Sequence, residues 1–235
     1  MTAQAILDEI RPLGRDSYKK VLLNHGVKEP IYGVKIEYLQ KIRKRIKKDY
    51  HLALALYDTG VYDAMYLAGL IADDARMTRD DLRRWVEKAA NGGLSGFTVP
   101  GVAAGSPHGH ELALEWIESA TDHIAAAGWA TLSCLVSVKD DAELDLTELK
   151  RLLERVRRTI HQAPNDARYQ MNSFVISLGA YVRPLTDAAM KAAEAIGPVT
   201  VDMGNTSCKV PFAPDYIRKV EQRGTLGKKR KSAKC

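Results

Sequence analysis

The sequence predicts an all-α protein in which helical hairpins stack into a curved solenoid. Four short segments rich in small apolar residues recur along the chain, at residues 66–72, 99–104, 129–138 and 173–182. Their spacing is close to that of stacked helical-hairpin repeats, and their Ala, Gly and Ser residues let neighbouring helices approach closely. Charged segments with apolar residues at helical spacing separate them. A stack of this kind presents an extended curved surface, which suits a long ligand.

The first half of the chain is predicted to form helices that begin at capping residues and end at glycines or turns. Asp16 and Ser17 offer an N-terminal cap, and Gly26 follows the last periodic residue of that helix. Thr78 opens a capping sequence whose acidic residues suit a first helical turn. The predicted helices cover residues 3–13, 18–24, 34–49, 52–57, 62–72 and 80–90. The glycine-rich residues 91–96 break this pattern.

The second half continues the helical pattern and then changes character. A short apolar helix begins near Pro100, and further helices are predicted at residues 107–117, 122–127, 129–138, 145–162, 168–181 and 184–196. Beyond Gly197, residues 199–201 are strand-like and residues 214–222 could form one more helix. Residues 224–235 contain little apolar material and predict a mobile tail. We therefore divide the chain into a helical-repeat domain, 1–196, and a short, non-helical C-terminal extension with a basic tail, 197–235.

Composition narrows the class of protein. The formal net charge is +6 and the pI is about 9.1, which favours acidic partners. The three cysteines form no secreted disulfide framework, the N-terminus lacks a signal-peptide pattern, and no run approaches the ~20 apolar residues of a membrane helix. His108 and His110 alternate beside Glu111 but point apart, with no third ligand at a suitable spacing. We expect a cytoplasmic monomer with no metal, no cofactor and no membrane partner.

Two short segments concentrate positive charge. Residues 41–48 hold six cations and residues 227–234 hold five. Clustered cations bind nucleic acid by neutralising phosphates, without reading base sequence. The predicted DNA-binding residues are Lys41, Lys44, Arg45 and Lys48 in the first segment and Lys228, Lys229, Arg230 and Lys231 in the second. A solvated helix face and a solubilising tail would have the same composition.

A few polar side chains are candidates for a site. Asp63 and Asp202 could act as general bases, although any solvated helix end carries such carboxylates. Asn172 lies within an apolar helical run. A buried amide must find a hydrogen-bond partner, or else it faces a ligand in the groove. The sequence leaves both interpretations of Asn172 open.

Several motifs together resemble the AlkD-like DNA alkylation repair family. They are YGV at residues 32–34, LQKI at 39–42, GVYDA at 60–64 and LAGLIAD at 67–73. The resemblance covers residues 15–196 and implies a HEAT-like helical-repeat superhelix (α-solenoid) whose concave basic face holds duplex DNA. For active members it also implies a glycosylase that excises positively charged N-alkylated purines. An Asp of such enzymes stabilises the developing sugar cation or positions water, and aromatic side chains pack against the deoxyribose.

Residue by residue, the resemblance places Tyr18 in the DNA-facing N-terminal helix and predicts an altered catalytic centre. The family's Trp-x-x-x-Asp element falls on a glycine-rich segment, where Gly92 and Gly96 stand in place of the aromatic residue and the carboxylate. An expected groove arginine falls on Leu132, and a second tryptophan falls near Val175. We therefore expect the usual glycosylase centre to be absent.

These observations favour a DNA-binding helical-repeat protein related to DNA alkylation repair that lacks standard alkylpurine glycosylase activity. One alternative is an active glycosylase with a relocated carboxylate, Asp63 or Asp202. A second alternative is a non-catalytic protein-interaction scaffold, for which duplex binding would be undetectable or insensitive to salt.

Overall fold

The computed structural model describes residues 1–234, and Cys235 lies outside the described residues. Within that range the chain forms thirteen α-helices and no β-strand, which confirms the all-α prediction. The helices are α1 (Ala3–Ile10), α2 (Asp16–Asn24), α3 (Ile36–Ile46), α4 (Tyr50–Asp58), α5 (Tyr62–Ile71), α6 (Arg79–Lys88), α7 (Val99–Gly105), α8 (Gly109–Trp116), α9 (Asp122–Val138), α10 (Leu146–Thr159), α11 (Asn165–Tyr181), α12 (Thr186–Ile196) and α13 (Ala213–Gln222). No helix in the described range is long and apolar enough to cross a membrane.

The helices are arranged in two layers. Helices α3, α5, α7, α9 and α11 each pack against the next member of this set. Their hairpin partners α4, α6, α8 and α10 make few contacts with one another. Because neighbouring helices lie closest together on the inside of a curved stack, the first set forms the inner, concave layer and the second set the outer layer.

Small residues explain the close packing of the inner layer. A Cβ added at Gly69 in α5 would lie 2.4 Å from Cγ2 of Thr98, so a larger residue would force the two helices apart. A Cβ at Gly128 in α9 would lie 2.7 Å from the backbone nitrogen of Ile117, at the end of its hairpin partner. The recurring small-residue segments of the sequence therefore mark the helices that must approach others most closely.

Long ion pairs span the wider spacing of the outer layer. Arg79 and Arg83 of α6 reach Glu111 and Glu115 of α8, with closest nitrogen–oxygen distances of 2.6 Å for both pairs. Both pairs are exposed, so solvent screens them and they add little to stability. Small residues in the inner layer and long side chains in the outer layer thus match the closer packing of the inner helices.

One buried contact joins the successive outer helices α4 and α6. The rings of Tyr57 and Trp85 stack with centroids 4.0 Å apart, and the Tyr57 hydroxyl donates a 2.8 Å hydrogen bond to the Trp85 carbonyl. Burial raises the pKa of Tyr57, so its hydroxyl keeps its proton as a donor. The capping sequence at Thr78 is confirmed, since its side chain and Asp81 cap each other's backbone N–H.

Two local predictions differ from the structure. The predicted break at residues 91–96 lies earlier, because α6 ends at Lys88 and the chain is non-helical through Asn91, whereas Gly92 and Gly93 are helical and a π-helical turn, Leu94–Thr98, leads directly into α7. π-helical turns of this kind often occur at functional sites. Residues 199–201 form no strand within the described chain, where no neighbouring strand exists to pair with them.

The C-terminal extension packs as part of the stack. Val199 and Ile217 are buried in the core of the second half. The extension also reaches the first half, because a Cβ at Gly204 would lie 2.5 Å from the carbonyl oxygen of Asn24 in α2. The prediction of a non-helical extension was wrong, because the helix that residues 214–222 could form is present as α13. The domain boundary at residue 196 stays a prediction.

Candidate nucleic-acid interface

The side chain of Asp63 is buried at the beginning of inner helix α5. It is 1% exposed, and its two oxygens accept hydrogen bonds of 2.7 Å from the backbone N–H groups of Tyr32 and Val34. These bonds tie the segment before α3 to the N-terminus of α5. Both oxygens of this candidate base are therefore engaged by the backbone and neither is presented to solvent.

Tyrosines surround Asp63 on the inner layer. Burial raises the pKa of Tyr62, and the nearby Tyr18, Tyr66 and Asp63 act in the same direction. Burial likewise raises the pKa of Tyr18, with the charge of Asp63 adding to the effect. The structure thus places the predicted Tyr18 and Asp63 in one neighbourhood, with Tyr62 and Tyr66 between α2 and the glycine-rich segment.

The glycine-rich segment has neighbouring side chains in the space that larger residues would need. A Cβ added at Gly96 would lie 2.6 Å from the amide nitrogen of Gln170, and one added at Gly93 would lie 2.4 Å from the hydroxyl oxygen of Tyr62. Gly92, by contrast, has no heavy atom within 4 Å of such a Cβ. An amide and a phenol therefore occupy the surroundings of the position at which the resemblance calls for a carboxylate.

Phe97, the next residue of the π-helical turn, is exposed to solvent. Phe97 is 58% exposed, which is unusual for a side chain of this size. It lines a shallow depression together with Tyr66 and Lys234. Two aromatic side chains, Tyr66 and Phe97, therefore lie close to Lys234, a cation from the other end of the chain.

The other predicted side chains have structural contacts. Asp202 is exposed, and one of its oxygens accepts a hydrogen bond from the N–H of Gly204 within a turn. Asn172 is buried, and its amide donates a 2.9 Å hydrogen bond to the carbonyl of Pro211, which supports the interpretation of a satisfied amide. Leu132 and Val175 are buried core residues of the second half.

The first basic segment forms the C-terminal end of inner helix α3 and the loop beyond it. Arg45 donates two hydrogen bonds to Glu9, and Lys48 lies 3.4 Å from Asp73. The ammonium of Lys41 lies over a tyrosine ring of its own helix, and Lys44 is exposed. Two of the four predicted cations are thus paired with carboxylates, although all four side chains reach solvent.

The predicted mobile tail was wrong: it is an ordered strap. We call residues 224–234 the C-terminal strap. The N–H of Gly227 donates to the carbonyl of Ala180 at the end of α11, and the N–H of Arg230 donates to the carbonyl of Ser137 near the end of α9. The backbone of Ala233 lies against Gly101 in α7, where a Cβ would be 3.4 Å away.

Two lysines anchor the strap at partly buried sites. Lys229 pairs with Asp141 at 2.8 Å and donates to the carbonyl of Val136. Lys234 pairs with Asp74 at 2.5 Å and donates to the carbonyl of Ala72, just beyond α5. Lys234 and both carboxylates were not predicted as site residues, because no local pattern links positions so far apart in the chain.

The two basic segments meet at Lys234. Burial lowers the pKa of Lys234, the charge of Asp74 opposes this effect, and the charges of Lys48 and Arg43 add to it. Burial raises the pKa of Asp74, against the charges of Lys234 and Lys48. Lys48 pairs with Asp73 at 3.4 Å, and Asp73 is the neighbour of the Asp74 that pairs with Lys234, so the end of the strap lies beside the end of α3.

Residues 6–204 match the profile of the DNA alkylation repair enzyme family. The chain belongs to this family. Two uncharacterized proteins, Lmo0209 of Listeria monocytogenes and Lin0241 of Listeria innocua, are each 31% identical over 220 residues, which cover 92% of this chain and 95% of theirs. The predicted family resemblance is confirmed.

One solved structure matches this DNA alkylation repair family member along its whole length. It represents a new family of proteins related to the HEAT-like repeat DNA glycosylases, with affinity for branched DNA structures. The two chains are 33% identical, the TM-score is 0.92, and the match covers 100% of both. The predicted HEAT-like helical-repeat superhelix is confirmed.

Proposed function

We propose that this protein is a cytoplasmic, monomeric DNA-binding member of the alkylation repair family that holds branched DNA and does not excise alkylated purines. The observation that carries the proposal is the meeting of two basic segments beyond α5, where Lys48 lies 3.4 Å from Asp73 and Lys234 lies 2.5 Å from the adjacent Asp74. Cations clustered along one rim of the stack attract the phosphate backbone. The affinity of the structural relative for branched DNA supports branched DNA over a simple duplex.

The surroundings of the glycine-rich segment argue against excision. Glycosidic cleavage of a cationic purine needs a carboxylate that faces the deoxyribose, where it stabilises the developing charge. At Gly96 the neighbouring group is the neutral amide of Gln170. Asp63 is nearby in the fold, but the backbone N–H groups of Tyr32 and Val34 hold both of its oxygens. The protein therefore binds DNA and does not cleave the glycosidic bond of alkylated purines.

The first experiment compares a four-way junction with a linear duplex of equal length in the same buffer. We expect tighter binding to the junction, with an affinity that falls steeply as salt rises. A K41A/K44A variant should weaken binding. A K150A/K191A variant, which removes two exposed lysines from the outer-layer helix α10 and from α12, serves as the charge-matched control. Binding that ignores salt, or equal losses in both variants, would contradict the proposed surface.

The second experiment tests excision directly. Alkylated duplex containing 7-methylguanine or 3-methyladenine is incubated with the protein in excess, and the released base is measured. We expect no release above the spontaneous rate while binding is retained. Release that depends on Asp63 or Asp202 would instead establish the alternative of an active glycosylase with a relocated carboxylate.

A further inference from the structure

Three inner helices end along one rim. Helix α5 ends at Ile71, α9 at Val138 and α11 at Tyr181, and the short strap contacts the end of each. The carbonyl groups at a helix C-terminus have no partners within the helix and carry partial negative charge. Left uncovered, this rim would repel a phosphate backbone.

The strap covers these helix ends with hydrogen-bond donors and cations. Its donors to the carbonyls of Ala180, Ser137 and Ala72 lie at 2.9, 2.8 and 2.9 Å. The first two donors are backbone N–H groups, and the third is the ammonium of Lys234. The strap therefore satisfies exposed carbonyls and replaces a negative rim with a positive one.

The cations of the strap divide into two groups by exposure. The side chains of Lys229 and Lys234 are 15% and 13% exposed, and each is paired with a carboxylate. Lys228, Arg230 and Lys231 are exposed, and no carboxylate in the described part of the chain forms an ion pair with them. The first pair holds the strap in place, and the other three are presented to solvent.

We propose that the strap is a docked phosphate-binding element of the DNA site. Lys229 and Lys234 fix its position, and Lys228, Arg230 and Lys231 contact one strand of the DNA backbone along the rim that Arg43 and Lys48 begin. This inference rests on the proposed DNA binding. It assigns the phosphate contacts to the exposed cations of the strap and gives the buried lysines the separate role of anchors.

The contact group is tested with K228A/K231A against the charge-matched K150A/K191A, both in the full chain. Junction affinity is measured by fluorescence anisotropy over a range of salt concentrations. We expect K228A/K231A to weaken binding about tenfold and to reduce the slope of log K against log salt by about 2, one for each lost phosphate contact. K150A/K191A should leave both values near those of the unmodified protein.

The anchoring group is tested with K229A/K234A, which keeps all three exposed cations. Limited trypsin digestion reports the order of the strap independently of DNA. We expect cleavage in the strap to become faster by about tenfold or more, because release of the strap opens backbone that the docked state protects. Junction affinity should fall as well, since the remaining cations are no longer held in place.

The outcomes separate the two proposals. A junction affinity of K228A/K231A equal to that of K150A/K191A, or a gain in affinity on deletion of residues 227–235, would overturn the role of the strap while leaving DNA binding intact. Unchanged trypsin cleavage of K229A/K234A would overturn the anchoring role. Absence of junction binding by the unmodified protein would overturn the proposed function and the strap's role with it.

Discussion

Replacing Asp63 by alanine should cost stability, because this carboxylate holds the backbone between α2 and α3 to inner helix α5. The side chain is 1% exposed and accepts two 2.7 Å hydrogen bonds, from the N–H groups of Tyr32 and Val34. Hydrogen bonds to a charged group contribute about 1.5–3 kcal/mol each, and losing both acceptors leaves buried donors unpaired. We therefore expect Asp63→Ala to lower the free energy of unfolding by about 3–5 kcal/mol.

The measurement is urea unfolding followed by far-ultraviolet circular dichroism at neutral pH. Asp63→Asn keeps one carbonyl acceptor and should cost less, about 1–3 kcal/mol, so a graded value is available if the alanine variant fails to fold. The matched control is Asp58→Ala in α4, where an exposed carboxylate lies 2.7 Å from Lys88. That exposed pair is expected to contribute less than about 1 kcal/mol.

Equal unfolding midpoints and slopes for the Asp63 and Asp58 alanine variants would contradict the structural role of Asp63. A fully stable Asp63→Ala variant that lost an excision activity present in the unmodified protein would contradict it as well. The first result would mean that the two hydrogen bonds carry no net stability. The second would assign the carboxylate to chemistry.

Three further predictions concern the core. Gly128→Ala should lower the free energy of unfolding by about 1–3 kcal/mol in urea unfolding, since its Cβ meets backbone atoms. Gly92→Ala, at a helical position with open surroundings, should be neutral or stabilising by up to about 1 kcal/mol. Equal effects of the two substitutions would contradict the close packing at Gly128. Tyr57→Phe should lose about 1 kcal/mol, because the stacked ring remains and one buried hydrogen bond goes; no loss would mean that this bond carries no net stability. Burial opposes ionisation of Asp81, but its hydrogen bonds outweigh burial and hold its pKa below 3.8. Its contribution is therefore present at higher pH and lost as the pH falls through that lowered pKa, so Asp81→Asn should flatten the fall in unfolding free energy below about pH 4 in an acid titration; an unchanged slope would contradict this.

Much of the helical pattern could be predicted because it depends on local periodicity and caps. Helix α6 begins at the Thr78 cap, as predicted, and α4, α5 and α12 lie within two residues of their predicted bounds. Local signals placed the break too late, at residues 91–96, because α6 already ends at Lys88 and the chain is helical again from Gly92. The flanking helices hold this segment in a π-helical turn, and tertiary packing overrode the weak helical preference of glycine.

The candidate site was predictable in composition and not in arrangement. Both basic segments were evident from the sequence, since clustered lysines and arginines are a local feature. Their meeting at one rim was not, because Lys48 and Lys234 come together only when the whole stack has formed. The same holds for Asp63, because the packing of α3 beside α5 brings its partners, the backbone N–H groups of Tyr32 and Val34, within hydrogen-bond distance.

The sequence by itself determined an all-α repeat protein with small-residue helices, two basic segments and a glycine-rich segment at residues 91–96. These are properties of residue type and spacing, and they survive without knowledge of the fold. The tertiary structure decided which charged side chains lie close together and which carboxylates are buried, because the stacked inner helices bring their C-terminal ends to one rim. The strap shows the physical reason most directly: a tail with almost no apolar residues is ordered by carbonyls and carboxylates that the stacked helices supply.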